Sequence, residues 1–260
     1  MTGALKTVLV TGAAQGLGLA AASLLSQEYR VILVDIQPVE EQAARLRGRG
    51  RDVLGWCGDV SSEAFVQEIA ERIGREYGAL DGLVNNAGIS LIMPAEQTSA
   101  AQWQRVMAIN LFGPFLFCRH LGAQMLSRGS GSIVNVASIA GLAAVSHRSA
   151  YNASKHGLVG LTMTLAAEWG GRGVRVNAVC PAWIKTEMDA ADQGAGAYSD
   201  TDIIDRVPMA RFARPEDVAA AIAFLLDANR SAFINGISLP VDGGWMADAS
   251  WNSLRLSTRP

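Results

Sequence analysis

What this chain has little of narrows the field before any motif is considered. Cysteine occurs three times in 260 residues, at Cys57, Cys118 and Cys180. An odd, widely spaced set without a Cys-x-x-Cys pair argues against a disulfide framework and a zinc site, and predicts buried thiols in a reducing compartment. An excess of one charge is missing too. The 22 basic and 24 acidic residues leave a net charge of −2, so nothing draws the protein electrostatically to nucleic acid or to an anionic membrane. No uninterrupted apolar run reaches the ~18 residues of a membrane span, and no basic-then-apolar leader opens the chain; the expectation is a cytoplasmic protein without a metal. Lysine is as scarce as cysteine, with Lys6, Lys155 and Lys185 as the whole supply.

What is present suits one large core. Half the residues are hydrophobic and 18% are charged, and no linker divides the chain, so a single domain is expected. Seven short β-branched and apolar runs read as strands, at 7–11, 31–34, 53–57, 81–84, 132–137, 174–179 and 237–241. Helical segments are predicted at 17–25, 39–47, 63–77 and 99–127, and from Tyr151 to about Trp169. This alternation implies parallel β-α-β units, hence an α/β fold with a doubly wound, seven-stranded parallel sheet whose strand ends meet in a ligand crevice. Gly113-Pro114 should disturb the fourth helical segment near Ile109 and Asn110, freeing backbone groups to bind water.

The first strand runs into Gly12-Ala13-Ala14-Gln15-Gly16-Leu17-Gly18. Strand, glycine loop and helix form the local context of a dinucleotide pyrophosphate site, although the spacing is Gly-x-x-x-Gly-x-Gly and such a loop alone is weak evidence. Asp35 follows about 20 positions later, where a carboxylate either accepts hydrogen bonds from an adenosine ribose or simply opens the next loop. As a ribose acceptor it would repel a 2′-phosphate. With Gln15 and Ile36 where a cation would be needed, the charge favours NAD over NADP. Asp59 either contacts an adenine amino group or shapes its turn, and Asn85-Asn86-Ala87-Gly88 offers either close approach to a cofactor or turn chemistry.

Tyr151 and Lys155 are four apart. On a helix they share a face, about 5–6 Å apart at Cβ. An ammonium there favours the phenolate of a side chain whose ordinary pKa is about 10. Ser138, at the end of a strand-like run, can offer a hydroxyl to the same substrate oxygen. The pair can also be plain helix surface, although 4 tyrosines and so few lysines make the spacing improbable by chance.

Together, in this order and spacing, several segments resemble the short-chain dehydrogenase/reductase family over residues 5 to 245. They are Thr-Gly-Ala-Ala-Gln-Gly-Leu-Gly at 11–18, Asn-Asn-Ala-Gly at 85–88, Asn110, Ser138, Tyr-Asn-Ala-Ser-Lys at 151–155, Pro-Ala-Trp-Ile-Lys-Thr at 181–186 and Val-Asp-Gly-Gly at 241–244. The resemblance implies a Rossmann fold, a homotetramer, and hydride transfer between an alcohol carbon and C4 of a nicotinamide. It implies that Tyr151 is the general acid/base, that Ser138 positions the substrate oxygen, that Lys155 lowers the tyrosine pKa and binds the nicotinamide ribose, and that Asn110 holds a water of the proton relay. Cofactor contacts are implied for Gly12, Leu17 and Gly18 at the pyrophosphate, with Gln15 and Gly16 between them, and for Asp35 and Ile36 at the ribose. Asp59 and Val60 would hold the adenine, Asn86 would lie beneath its ribose with Ala87 and Gly88 following, and Ile184 and Thr186 would meet the carboxamide. One position departs from the family's common Pro-Gly: Ala182 follows Pro181. Alanine disfavours positive φ, so a small adjustment of the nicotinamide loop is expected.

Substrate choice falls to residues 183–206, which look like the family's lid. Trp183, Met188 and Tyr198 are candidates to line the pocket with Ala140, Leu142 and Val145, and each is equally at home in an ordinary core. Arg148 either clamps an acidic substrate group, with His147 on a hydroxyl, or the two cap a helix or meet a subunit. Beyond residue 245 the tail 246–260 carries Met246, Trp251 and Leu254 and is expected to pack on a neighbouring subunit. The expected function is NAD(H)-dependent interconversion of a small secondary alcohol, polyol or hydroxy-acyl substrate and its ketone. The alternative is a binding protein that senses NAD(H) without turnover.

Overall fold

The computed structural model describes residues 5–194, 198–251 and 254. Residues 195–197 of the expected lid, the first four residues, and 252, 253 and 255–260 of the tail lie outside the described residues. The strands are β1 (Thr7–Thr11), β2 (Arg30–Asp35), β3 (Val53–Cys57), β4 (Gly82–Asn85), β5 (Gly131–Val136), β6 (Val174–Pro181) and β7 (Ser238–Val241). They form one parallel sheet in the order β3-β2-β1-β4-β5-β6-β7, the doubly wound architecture read from the sequence. The chain leaves β1 in one direction for β2 and in the other for β4, so the sheet's switch point lies at the carboxyl ends of β1 and β4.

Period-two alternation along buried strands sorts one sheet into two cores. Val8 and Val10 of β1, with Val31 and Leu33 of β2, face one layer; Leu9, Ile32 and Val34 face the other. The first layer is closed by α1 (Gly16–Leu25), α2 (Glu40–Arg47) and α9 (Pro215–Leu226), the second by α3 (Glu63–Tyr77), α5 (Gly113–Arg128) and α6 (Ser149–Trp169). The remaining helices are α4 (Ala100–Met107), α7 (Glu187–Gly194), α8 (Asp200–Ile204) and α10 (Ala228–Ser231). α9 lies outside the predicted helical segments, although Pro215 in its first turn, Glu216 and Asp217 near its start and the apolar run that follows are helix-start signals. Val218, Ile222 and Leu225 of α9 pack with Ala21 and Leu25 of α1.

The expected disturbance near Ile109 and Asn110 is a π turn, Ala108–Phe112, between α4 and α5. Pro114 has no N–H to give the Asn110 carbonyl four residues back, and the turn widens at this point. Helical segment 100–128 is by length and average composition apolar enough to cross a membrane, although it holds no uninterrupted apolar run of that length, and Leu116, Phe117, Leu121 and Met125 account for that character as core side chains. One expectation is corrected. Cys57 is exposed at the end of β3, while Cys118 and Cys180 are buried as expected.

Candidate active site

The carboxyl ends of the strands open into one crevice, and the glycine loop forms its floor. Gly12 and Gly16 have φ of +66° and +54°, a region that side chains other than glycine rarely enter. A Cβ on Gly18 would stand 1.9 Å from the Gly12 carbonyl oxygen, so α1 begins pressed against its own loop. Gln15, just before α1, makes no side-chain cap, and no acidic residue occupies the first turn. The positive end of the helix therefore faces the crevice uncompensated, the arrangement that receives a pyrophosphate. The residues present fit a dinucleotide.

Beside this floor, Asp35 is buried and accepts hydrogen bonds from the Ala14 and Gln37 amides, each at 3.0 Å. Ile36, exposed, lines the crevice next to it. The Asn86 amide side chain donates to the Thr11 and Gly12 carbonyls at 3.0 Å, and the Thr11 hydroxyl accepts from the Asn86 and Ala87 amides. Thr11 thus clamps β1 to the turn after β4, a role the motif reading missed. Asp59 accepts from Ser61 and from Arg105 at 3.2 Å. Burial acts to raise its carboxyl, but the Ser61 and Arg105 hydrogen bonds outweigh it and hold the group below the usual range. Asp59 therefore shapes its turn and also lines the crevice with Val60.

At the other side, Ser138 ends the run after β5 and its hydroxyl accepts from the Ala140 amide at 3.1 Å. The Lys155 Nζ donates to the Val136 carbonyl at 2.8 Å and lies 5.6 Å from the Tyr151 ring centre. Burial lowers the Lys155 ammonium to about 8. Burial also raises the Tyr151 phenol, with Ser138 and then Arg148 pulling it back only in part. Lowering of the phenol by Lys155, implied by the resemblance, is not what this arrangement gives: desolvation pushes both groups toward their neutral forms.

Of the predicted site residues, Gly12, Gln15, Gly16, Leu17, Gly18, Asp35, Ile36, Asp59, Val60, Asn86, Ala87, Gly88, Ser138, Ala140, Val145, Tyr151, Lys155, Trp183, Ile184 and Thr186 all line the crevice, as do Met188 and Tyr198. Asn110 does not line it. Fully buried behind the wall, its side chain bonds both backbone groups of Ile89 and the Ser154 hydroxyl. A Cβ on Gly88 would still lie 3.4 Å from Asn110 Oδ1 and 3.6 Å from Lys155 Nζ, so both face the same gap. Leu142 packs in a small core with Ala137 and Leu158 and is not on the wall. Among described non-glycine residues only His147 and Ala210 have positive φ, so Ala182 is unstrained in its loop.

The lid side is held by aromatic contacts and ion pairs. Trp183 meets Trp245 at 4.4 Å and Tyr198 edge-on at 6.3 Å between ring centres. Arg148 lines the crevice and pairs with Asp192 of α7 at 3.0 Å, and although it stands at the N-terminus of α6 its side chain makes no cap there. Asp189, Asp192 and Arg105 on the wall had no local signal in the sequence.

A sequence profile of the family described as enoyl-(acyl carrier protein) reductase matches residues 12–246. D-threitol dehydrogenase of Mycolicibacterium smegmatis is 43% identical over 246 residues, 92% of this chain and 92% of that protein. The 2-(S)-hydroxypropyl-CoM dehydrogenase 3 of Xanthobacter autotrophicus is 38% identical over 249 residues, 93% of this chain and 97% of its own. Among solved structures, a candidate NAD(P)-dependent gluconate 5-dehydrogenase from Beutenbergia cavernae with bound NADP superposes with a TM-score of 0.88 at 35% identity, covering 94% of this chain and 97% of that one.

Proposed function

The chain belongs to the short-chain dehydrogenase/reductase family of oxidoreductases, and from that premise we propose that it is an NAD(H)-dependent dehydrogenase interconverting a small secondary alcohol and its ketone. One observation carries this reading: Ser138, Tyr151 and Lys155 line the same crevice as the glycine loop and Asp35. A bound nicotinamide would supply the site that accepts or returns hydride and, when oxidised, a positive charge beside the phenol.

The roles follow from the surroundings of each side chain. Tyr151, its phenol raised by burial, is protonated at neutral pH and so holds the proton that a ketone oxygen needs. Ser138, near that phenol, orients the same oxygen through its hydroxyl. Lys155, at about 8, is mostly protonated near neutrality and can pass a proton onward after Tyr151 has given one up. The Asn110 carbonyl, left without its helical partner by Pro114, is proposed to seat the water that continues this relay.

Asp35 supports NAD as the cofactor. Its carboxylate occupies the ribose end of the floor with Gln15, Ile36 and Gln37 around it and no cation among them to neutralise a 2′-phosphate. Like charges about 4 Å apart cost roughly 4 kcal/mol at a protein surface, enough for a preference of two to three orders of magnitude. The names of the relatives divide on substrate charge, D-threitol being neutral and gluconate an anion.

Replacing Tyr151 with Phe tests the central role. Turnover should fall by about 10²–10⁴-fold while NADH still binds with unchanged affinity; a variant with near-normal turnover would remove the proton-transfer assignment. For assembly, we propose a homotetramer that covers the apolar face of Trp103, Phe112, Phe115 and Leu161 and the exposed Trp251 of the tail. Light scattering should then give four times the mass of the chain, and a stable monomer would refute it.

A further inference from the structure

We propose that Asp192 is an internal counter-ion that masks Arg148, and that this masked pair sets the substrate pocket for neutral, polyhydroxylated alcohols over their carboxylate analogues. The inference rests on the dehydrogenase reading and adds the substrate class and the residues that choose it. Arg148 stands just before α6, and its guanidinium carbon is 5.9 Å from the Tyr151 ring centre. It is therefore within reach of a carbon or two beyond the reacting centre of any substrate held at Tyr151. Its backbone is fixed from both sides: the His147 carbonyl accepts from the Met93 amide at 2.7 Å, and the Arg148 carbonyl from the Asn152 amide at 2.7 Å.

A guanidinium this close to the chemistry and only 11% exposed would by itself select an anionic substrate, by a bidentate charge-assisted pair. Here it is already engaged. One amino group donates to Asp192 at 3.0 Å, the other to the Ser90 hydroxyl at 2.8 Å, and Ser90 donates in turn to the same Asp192 oxygen at 3.1 Å. The three residues come from the loop after β4, the turn before α6 and from α7, so the network crosses the pocket. A carboxylate tethered in the chain competes as an intramolecular ligand, and a free acid must displace it.

Displacement would then leave two anions side by side, with a third nearby. Asp189, one turn earlier on α7, is buried, takes a hydrogen bond from the Tyr198 hydroxyl at 2.7 Å and pairs with Lys185 at 3.3 Å. A diol meets no such conflict. One hydroxyl donates to Asp192 while its oxygen accepts from a remaining N–H of Arg148, and the charge balance of the pair is untouched.

The test compares D-threitol with D-threonate, which have the same four-carbon skeleton and differ by a carboxylate at one end, with NAD as co-substrate. Wild type should favour threitol in kcat/KM, and Asp192→Asn, close in shape but uncharged, should reduce that preference by about tenfold or more, mainly through a lower KM for threonate. Adding Arg148→Met to Asp192→Asn should abolish the gain. Wild-type preference for threonate, an Asp192→Asn ratio within about twofold of wild type, or a gain that survives loss of Arg148 would each overturn the proposal. Calorimetric titration of the NADH-loaded protein with both compounds reads the same discrimination without turnover. If threitol alone binds wild type and threonate binding appears in Asp192→Asn, masking stands even where no alcohol is oxidised, and only the dehydrogenase reading falls. Equal binding of the two compounds to wild type, or binding of neither, overturns the masking itself.

Discussion

Under β1, β2 and β4, the crevice is lined by main chain and by short side chains within a few residues of a strand end: Gly12, Gly16, Asp35, Asn86. Under β5 and β6 it is completed by side chains that arrive from segments well away from the strand ends, among them Arg148, Trp183 and Asp192. The first half is rigid by construction, because Gly18 touches the Gly12 carbonyl and Thr11 bonds the turn after β4. The second depends on ion pairs and ring contacts between elements that can separate, such as Arg148 with Asp192 and Trp183 with Trp245. A family can thus hold its cofactor half constant while the substrate half varies.

Substitutions in each half should therefore fail differently. The largest effect is expected at the junction. Lys155→Met removes the cation that follows Tyr151 in the proton path, and kcat should drop by about 10²–10⁴-fold with the stronger loss below pH 8, where wild-type Lys155 is protonated. A pH profile of kcat parallel to wild type would deny Lys155 that role. Next comes the cofactor half: Asp35→Ser removes a buried carboxylate and should lower the ratio of NAD to NADP efficiency by about 100-fold, measured with one alcohol and both cofactors. No change in that ratio would transfer cofactor choice to other residues.

Smaller effects sharpen the contrast in rigidity. Gly18→Ala forces a methyl against the Gly12 carbonyl and should cost about 1–3 kcal/mol in denaturant unfolding while raising KM for the cofactor far more than for the alcohol. Equal effects on the two Michaelis constants would mean that the halves are coupled. Smallest is a pH effect on stability. Because Lys155 titrates near 8 when folded and at 10.5 when unfolded, the unfolded chain binds more protons between those values, so its contribution to stability rises with pH across that window. Wild type minus Lys155→Met should show a slope of up to about 1.4 kcal/mol per pH unit between pH 8 and 10.5 and none below; a flat difference would place the amine in water.

The same contrast explains what was legible in the sequence. β-strand periodicity, the glycine loop, Asp35 and the Tyr151–Lys155 spacing are local patterns, and each lies where the pattern put it. The Gly113-Pro114 signal located the π turn because a missing N–H acts four residues away. The helix Pro215–Leu226 carries equally local signals in Pro215, Glu216 and Asp217. Arg148 and Asp192 were not readable as partners: they are 44 positions apart, and no short-range pattern links a turn before one helix to the face of another. The sign of the Tyr151 shift was also beyond reach, since spacing reveals a neighbouring charge and says nothing of how deeply both groups are buried.

The most direct measurement follows NADH absorbance while the purified protein is given NAD and a panel of secondary alcohols that includes D-threitol. Steady NADH production with at least one of them, lost in Tyr151→Phe, is the expected result. No turnover with any alcohol or in the reverse direction with the matching ketones, despite tight NADH binding, would contradict the account and leave a dinucleotide-binding protein without a reaction.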